Sequence, residues 1–283
     1  MQELATLIEV EALAVPPTPR AKQPSRIGRV LLGLLLPGVA LAALEIASRQ
    51  GWVASHQLPP PSVILRTLSE LLDNGLATHV AASTLRVGIG FAFGSMAGIV
   101  LALLVGLDRR IAALLDPTLQ ALRAVPSLAW VPLLLLWLGI DETPKLTLIA
   151  LGAFFPVYLN VLGGLQNVDR KLIELGEVSG LSRVELARRI LLPAARPALF
   201  TGLRSGLGLA WMFVVAAELI AASRGLGYLL SDGRETGRPD IVIAAILLLA
   251  VLGKASDGLL KAWETRSLHW RDTLASRQEG GAA

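Results

Sequence analysis

Cysteine is absent from the 283 residues, which excludes disulfides, thiolate nucleophiles and Cys-ligated zinc or iron–sulfur centres. Histidine is almost absent: His56, His79 and His269 fall in separate polar segments, so no metal-ligand cluster is expected. Charge is scarce at 17% of residues, against roughly a quarter in a soluble domain. No Gly-x-x-x-x-Gly-Lys-Ser/Thr segment occurs, so the chain does not hold ATP in the usual way. Nor is Gly225-Leu226-Gly227 a dinucleotide fingerprint, because it lacks the third glycine and a βαβ setting. It reads as the end of a helix.

What is present is apolar surface. Hydrophobic residues make up 53% of the chain and the mean hydropathy is +0.61. They cluster in runs of about 20 residues, long enough to cross a hydrocarbon layer roughly 30 Å thick. The fold class is therefore all-α, a polytopic membrane protein in the lipid bilayer. Disorder is excluded, and the composition argues against a soluble enzyme.

Six transmembrane helices are expected. The first runs from Arg29 to Ala47, behind a polar, proline-rich tail (residues 1–26) in which Glu3 to Ala14 has amphipathic spacing but is expected to be mobile. In the following segment, Pro59-Pro60-Pro61-Ser62 stops one element, and Ser62 is placed to cap a short amphipathic helix through Leu72. The second span, Val87 to Leu107, carries Gly90, Gly94 and Gly98 on one face, a spacing that permits close helix packing. The third begins at Asp116-Pro117, read as N-cap and N1, and reaches Leu138 with a break expected at Pro126 or Pro132. The others are Leu146 to Leu165, Leu199 to Ala222 and Ile241 to Leu260.

The basic residues set the orientation. With both termini cytoplasmic, inner segments hold 19 Lys and Arg and outer segments 7, as the positive-inside rule requires. That distribution assigns the net charge of +4 to membrane topology and leaves no case for nucleic acid.

Residues 166–198 form a polar inner loop too long for a simple turn. Asp169 is placed to cap a helix running to about Ser179, Gly180 supplies its stop, and Ser182-Arg183-Val184-Glu185 is a capping box that opens a second helix ending before Pro193. Glu174, Gly176, Gly180, Ile190, Leu192 and Pro193 together resemble the EAA loop of binding-protein-dependent ABC importer permeases. Leu175 and Gly176 stand where two alanines are usual. The likeness continues in Leu122-Arg123-Ala124-Val125-Pro126, Leu138-Gly139-Ile140-Asp141-Glu142, Phe155-Pro156-Val157-Tyr158, Ala217-Glu218 and Gly225-Leu226-Gly227-Tyr228-Leu229. These look like the sulfonate, taurine and nitrate branch, and most like aliphatic sulfonate permeases.

The resemblance implies a type I importer permease fold in a bacterial inner membrane. It implies that residues 27–270 form the permease domain, with a coupling loop at 166–198 and a cytoplasmic tail at 271–283. It further implies ABC ATPase subunits that bind ATP and magnesium, a solute-binding protein, and a homodimer with a central pathway. The chain itself carries no cofactor and no catalytic site.

Charged and polar groups inside apolar spans require a reason. Arg123 reads either as a positive group in an anion pathway or as an interfacial arginine that snorkels. Glu218 would repel an anion, so a structural or gating role bonded to a helix terminus or an arginine is expected. Tyr158, Asn160 and Gln120 suit either solute contact or interhelical bonding. An ion-coupled secondary transporter is the alternative from another class, but no internal repeat supports it and it leaves the inner loop unexplained.

Overall fold

The computed structural model describes residues 26–52, 54 and 57–268, and every regular element among them is helical. The chain divides into two compact units, residues 1–53 and 54–283. The described part of the first unit holds α1 (Arg26–Arg49), a 24-residue helix with Pro37 inside it and a Glu45–Arg49 ion pair of 2.7 Å at its end. It covers the expected first span. The stretch Glu3 to Ala14 and the tail 271–283 lie outside the described residues.

In the second unit, α2 (Pro61–Asp73) is followed by α3 (Leu76–Leu107), α4 (Arg109–Ala124), a 3-10 turn (Ser127–Trp130) and α5 (Val131–Leu138). Next come α6 (Glu142–Gln166), α7 (Arg170–Val178), α8 (Arg183–Leu186), α9 (Leu192–Ala221), α10 (Leu226–Glu235) and α11 (Pro239–Ser267). Among the described residues four rods are long and apolar enough to cross a bilayer: α3, α6, Arg183–Ile220 and α11. Among these residues a fifth crossing is made if α4 is joined to the 3-10 turn and α5, a pair bent by 90°. The bend lies at Pro126, where Val125 is extended because the following proline ring excludes the helical region. Pro132 falls in the first turn of α5, where its missing N–H costs nothing.

The central helix is α6, packed on α3 along one side and α9 along the other. Hydrocarbon lipid gives helices no hydrophobic reason to associate, so contact rests on close approach, and glycine supplies it. A Cβ at Gly90 would lie 2.7 Å from Ile149, one at Gly98 would lie 2.9 Å from the Phe154 carbonyl, and one at Gly94 would overlap the Ala150 backbone. On the other side, a Cβ at Gly202 would lie 2.9 Å from Asn160 Cβ and one at Gly206 3.1 Å from the Ala153 carbonyl and from Val157. Register rises together along α3 and α6, and falls along α9 against α6. Hence α3 and α6 run parallel and α9 antiparallel to both.

Gly94→Val should therefore sharply shorten the half-life of the solubilised protein at raised temperature, because backbone cannot yield as a side chain can. Gly88→Ala, where an added Cβ meets nothing within 4 Å, should be neutral or stabilising. Equal half-lives for the two variants would refute this packing.

Five local expectations are corrected. The N-cap of α2 is Pro60 with Pro61 at N1, not Ser62, because the proline's fixed φ already starts the helix. α3 starts eleven residues before Val87, since its buried face continues back through Arg86, Ser83 and Leu76. α4 is capped by Asp108, whose side chain accepts the Arg110 N–H, so Asp116-Pro117 lies inside the helix. Gly225 begins α10 instead of ending a helix, with φ +132°. The second helix of the inner loop does not stop before Pro193.

That last correction has a structural cause. Residues Ala187–Leu191 form a π turn, in which the Leu192 N–H donates to the Ala187 carbonyl five residues back. The wider turn re-routes the backbone where Pro193 supplies no donor, and α8, the π turn and α9 form one rod of 38 residues from Arg183 to Ile220. At 1.5 Å per residue it spans about 55 Å.

Candidate functional site

Two polar constructions sit at opposite ends of the rods. At one end is the hairpin of α7 and α8. Asp169 accepts the Lys171 N–H at 2.9 Å and starts α7. At its end Gly180 takes φ +71°, and the Leu181 N–H donates to the Gly176 carbonyl at 3.1 Å, which closes a Schellman turn. Ser182 and Glu185 then cap each other's backbone in a capping box. The helices pack because residue 176 is glycine: a Cβ there would lie 2.5 Å from Leu186 Cδ1 and 2.7 Å from Ile190 Cδ1.

The hairpin has two unlike faces. Leu186, Ala187 and Leu191 are buried, and Val168 and Ile173 pack on the main core. Leu172, Leu175, Val178 and Val184 are exposed, Val178 by 88%. Glu174 is also exposed, paired with Arg170 at 2.9 Å. A long-range bond from Arg183 Nη1 to Asp108 Oδ2, 3.2 Å, ties the hairpin to the α3–α4 junction. The Arg110 N–H, with help from Arg183, holds the Asp108 carboxyl below its ordinary pKa. A carboxyl lowered in the folded state stabilises above its ordinary pKa and loses that contribution as pH falls through the lowered value. Neutral pH leaves the tie intact.

At the far end, Arg86 binds Glu142 through two bonds, Nε to Oε2 at 2.6 Å and Nη2 to Oε1 at 2.7 Å. Its Nη1 donates to Glu218 Oε1 at 2.8 Å and to the Arg224 carbonyl at 2.6 Å. Lys145 also reaches Glu142, at 3.2 Å. Glu218 is 1% exposed and accepts from the Ser83 hydroxyl, 2.8 Å from both carboxylate oxygens, and from the Gly227 N–H at 2.8 Å. The Ser83 oxygen in turn accepts the Leu226 N–H, and His79 Nδ1 lies 3.2 Å from the Gly225 nitrogen with its ring stacked on Tyr228.

A buried carboxylate costs several kcal/mol unless compensated, and here an arginine, a hydroxyl and the start of a helix all compensate it. A Cβ at Gly225 would overlap the Glu218 carboxylate. The network thus fastens α3, α6, α9 and α10 at one point.

Two further ties bring in α11 and α2. Arg204 of α9 binds Asp257 of α11 at 2.8 and 3.2 Å and Glu264 at 3.4 Å, while the Trp211 N–H donates to Ser256 at 2.9 Å. Near the start of α11, Asp240 accepts from Thr67 of α2 and from Arg238, each at 2.6 Å.

Residues 94–268 match the family described as binding-protein-dependent transport system inner membrane component. The chain belongs to that family. Curated relatives agree. SsuC of Bacillus subtilis (strain 168), a transport permease named for aliphatic sulfonates, is 41% identical over 85% of this chain and 88% of its own. SsuC of Escherichia coli (strain K12) is 41% identical over 83% and 90%. The taurine transport system permease TauC of the same strain is 36% identical over 75% and 80%.

The permease brings only some of the expected residues together. Glu174, Gly176, Gly180, Ile190, Leu192 and Pro193 occupy one hairpin and the start of α9. Arg123 and Tyr158, with Gln120, line one groove between α4 and α6. Asn160 faces elsewhere: its amide donates to the Pro156 carbonyl at 2.8 Å, one helical turn back. Glu218 lies at the far end, 58 residues along α6 and α9 from Asn160 and outside the groove. Arg86, Ser83, Glu142 and His79 were not singled out from the sequence. Their signal was there, because Ser83 and Arg86 continue the face of Gly90 and Gly94 at helical spacing.

Proposed function

We propose that this permease is the membrane half of an ATP-driven importer for a small organic anion, of which an aliphatic sulfonate is the best match. Two copies form the pathway. Two ABC ATPase subunits, which bind the ATP and magnesium, dock on the cytoplasmic face, and a solute-binding protein delivers the anion from outside. Both termini and the α7–α8 hairpin are cytoplasmic, and the Arg86 network lies at the outer mouth. The relatives named for sulfonates and taurine support the substrate class. The basic residues concentrated in inner segments support the orientation.

One observation carries the mechanism: the hairpin is continuous with a membrane-crossing rod. The exposed Leu172, Leu175, Val178 and Val184, with Glu174 beside them, form the docking face for the ATPase. When the paired ATPases close on ATP, a push on α7 reaches α8 through the Gly176 contact and then travels along α9 without a hinge. Arg204 and Trp211 carry α11 with it. At the outer end the same helix pulls on Glu218, and so on α10 and the ends of α3 and α6. Glu218 serves as an interhelical bond in this scheme, whereas the Asn160 amide bonds within α6.

Reconstitution tests it. Proteoliposomes holding the permease, its ATPase and the loaded binding protein should take up an alkanesulfonate only with ATP. Two permease copies should be found per purified complex. Uptake by the permease alone, in the absence of any ATPase, would refute the proposal.

A further inference from the structure

The groove between α4 and α6 has the properties of a ligand site. Its volume is about 390 Å³, and its lining consists of Asp116, Leu119, Gln120, Arg123 and Ala124 on α4, with Phe155, Tyr158, Leu159 and Leu162 on α6. That volume falls in the range of roughly 300 to 1,000 Å³ typical of small-molecule sites, as does a mostly apolar wall with a few polar groups.

Two of those polar groups lack partners. Tyr158 is 98% buried, counted from its 2% exposure, and its hydroxyl has no hydrogen-bond partner. A buried hydroxyl is normally satisfied, so an unpaired one on a groove wall points to a missing acceptor. Arg123, an exposed residue, makes no ion pair and no hydrogen bond among the described residues, as is also true of the exposed Arg109 and Arg188. The groove's acid is engaged: Asp116 accepts the Gln120 amide at 3.3 Å, one turn along α4. Asp116 and Arg123 stand seven residues apart, about two turns or 10 Å. The charge at the Arg123 end is therefore not neutralised within the groove.

We infer that this groove is a binding site in the permease itself for an organic anion with a short apolar chain. The Arg123 guanidinium takes the anionic head, the Tyr158 hydroxyl donates to one of its oxygens, and the alkyl chain lies along Leu119, Phe155 and Leu159. This deepens the proposed function and rests on its substrate class: selection of the solute is shared between the binding protein and the membrane subunit. Asp116 also lines the groove, so a second negative charge on the ligand would be repelled.

The test is equilibrium binding of radiolabelled butane-1-sulfonate to the permease–ATPase complex in lipid nanodiscs, without binding protein, beside uptake by the complete system. Arg123→Gln should weaken binding at least tenfold, as loss of a charge-assisted bond requires, and Tyr158→Phe several-fold. Asp116→Asn should leave it unchanged or tighter. Inorganic sulfate should bind markedly more weakly than butane-1-sulfonate.

Wild-type uptake of the sulfonate with no binding to the complex, or binding unaffected by Arg123→Gln, overturns the site and leaves the importer reading standing. Equal affinity for sulfate, or equal loss from Asp116→Asn and Arg123→Gln, overturns the assignment of an alkyl anion. Binding with the expected variant pattern, but no ATP-driven uptake, keeps the site and overturns the importer reading. Arg123 is exposed and Tyr158→Phe removes a single atom, so both variants fold.

Discussion

Gly180→Pro should abolish co-purification of the ATPase with the permease while leaving the permease inserted in the membrane. Residue 180 has φ +71°, and proline fixes φ near −65°, so the Schellman turn cannot form with proline in this place. The turn sets the direction of α8 relative to α7. Without it, Leu175 and Val178 no longer share a face with Val184. Gly180→Ala is the graded control: a Cβ there meets no atom within 4 Å, so the only cost is the left-handed backbone, about 1–2 kcal/mol. Weakened but measurable association is expected for alanine, and none for proline. Membrane insertion, read by protease protection, should be the same in all three proteins because the spans lie elsewhere. A proline variant that binds ATPase and transports like the wild type would remove the docking assignment.

The second large effect concerns the opposite end. Arg86→Met leaves the buried Glu218 facing Ser83 and the Gly227 N–H without its cation, and should destabilise the bundle by about 3–5 kcal/mol. Glu218→Gln keeps the shape and removes the charge, and should cost less because Arg86 retains the half-exposed Glu142. The double variant should be more stable than the sum of the two single losses predicts, since neither charge is left alone. Thermal inactivation half-lives in lipid supply the comparison. Strict additivity would show that the two groups do not depend on each other, and the Arg86–Glu218 tie would have to be abandoned.

Much of the permease is readable without its tertiary structure where interactions are local. The hairpin is the best example. Asp169, Gly180, Ser182 and Glu185 each act within five residues of themselves, and each forms the cap or stop that its type and position require. The glycine face of α3 is legible for a related reason: small residues at four-residue spacing have few purposes in an apolar helix other than close approach.

Boundaries are less legible because several signals compete for one segment. Asp116-Pro117 has the form of a helix start, yet Asp108 caps the same helix eight residues earlier, and a helix once nucleated runs on through a proline that membrane neighbours tolerate. Pro193 has the form of a helix stop, and a π turn overrides it. Arg86 stands just before the uncharged run that opens at Val87, and nothing local marks it as buried. Its burial depends on partners 56 and 132 residues away.

By itself the amino-acid order determined the membrane class, the α7–α8 hairpin and the transport family, because hydrophobic length, capping and turn chemistry are short-range and report on themselves. Only the tertiary structure decided that the hairpin is one piece with a crossing rod. It alone showed that Glu218 is sealed by Arg86 and the start of α10, and that Arg123 and Tyr158 share a groove from which Asn160 is turned away. Those outcomes depend on which distant faces meet, and spacing along one chain carries no measure of that.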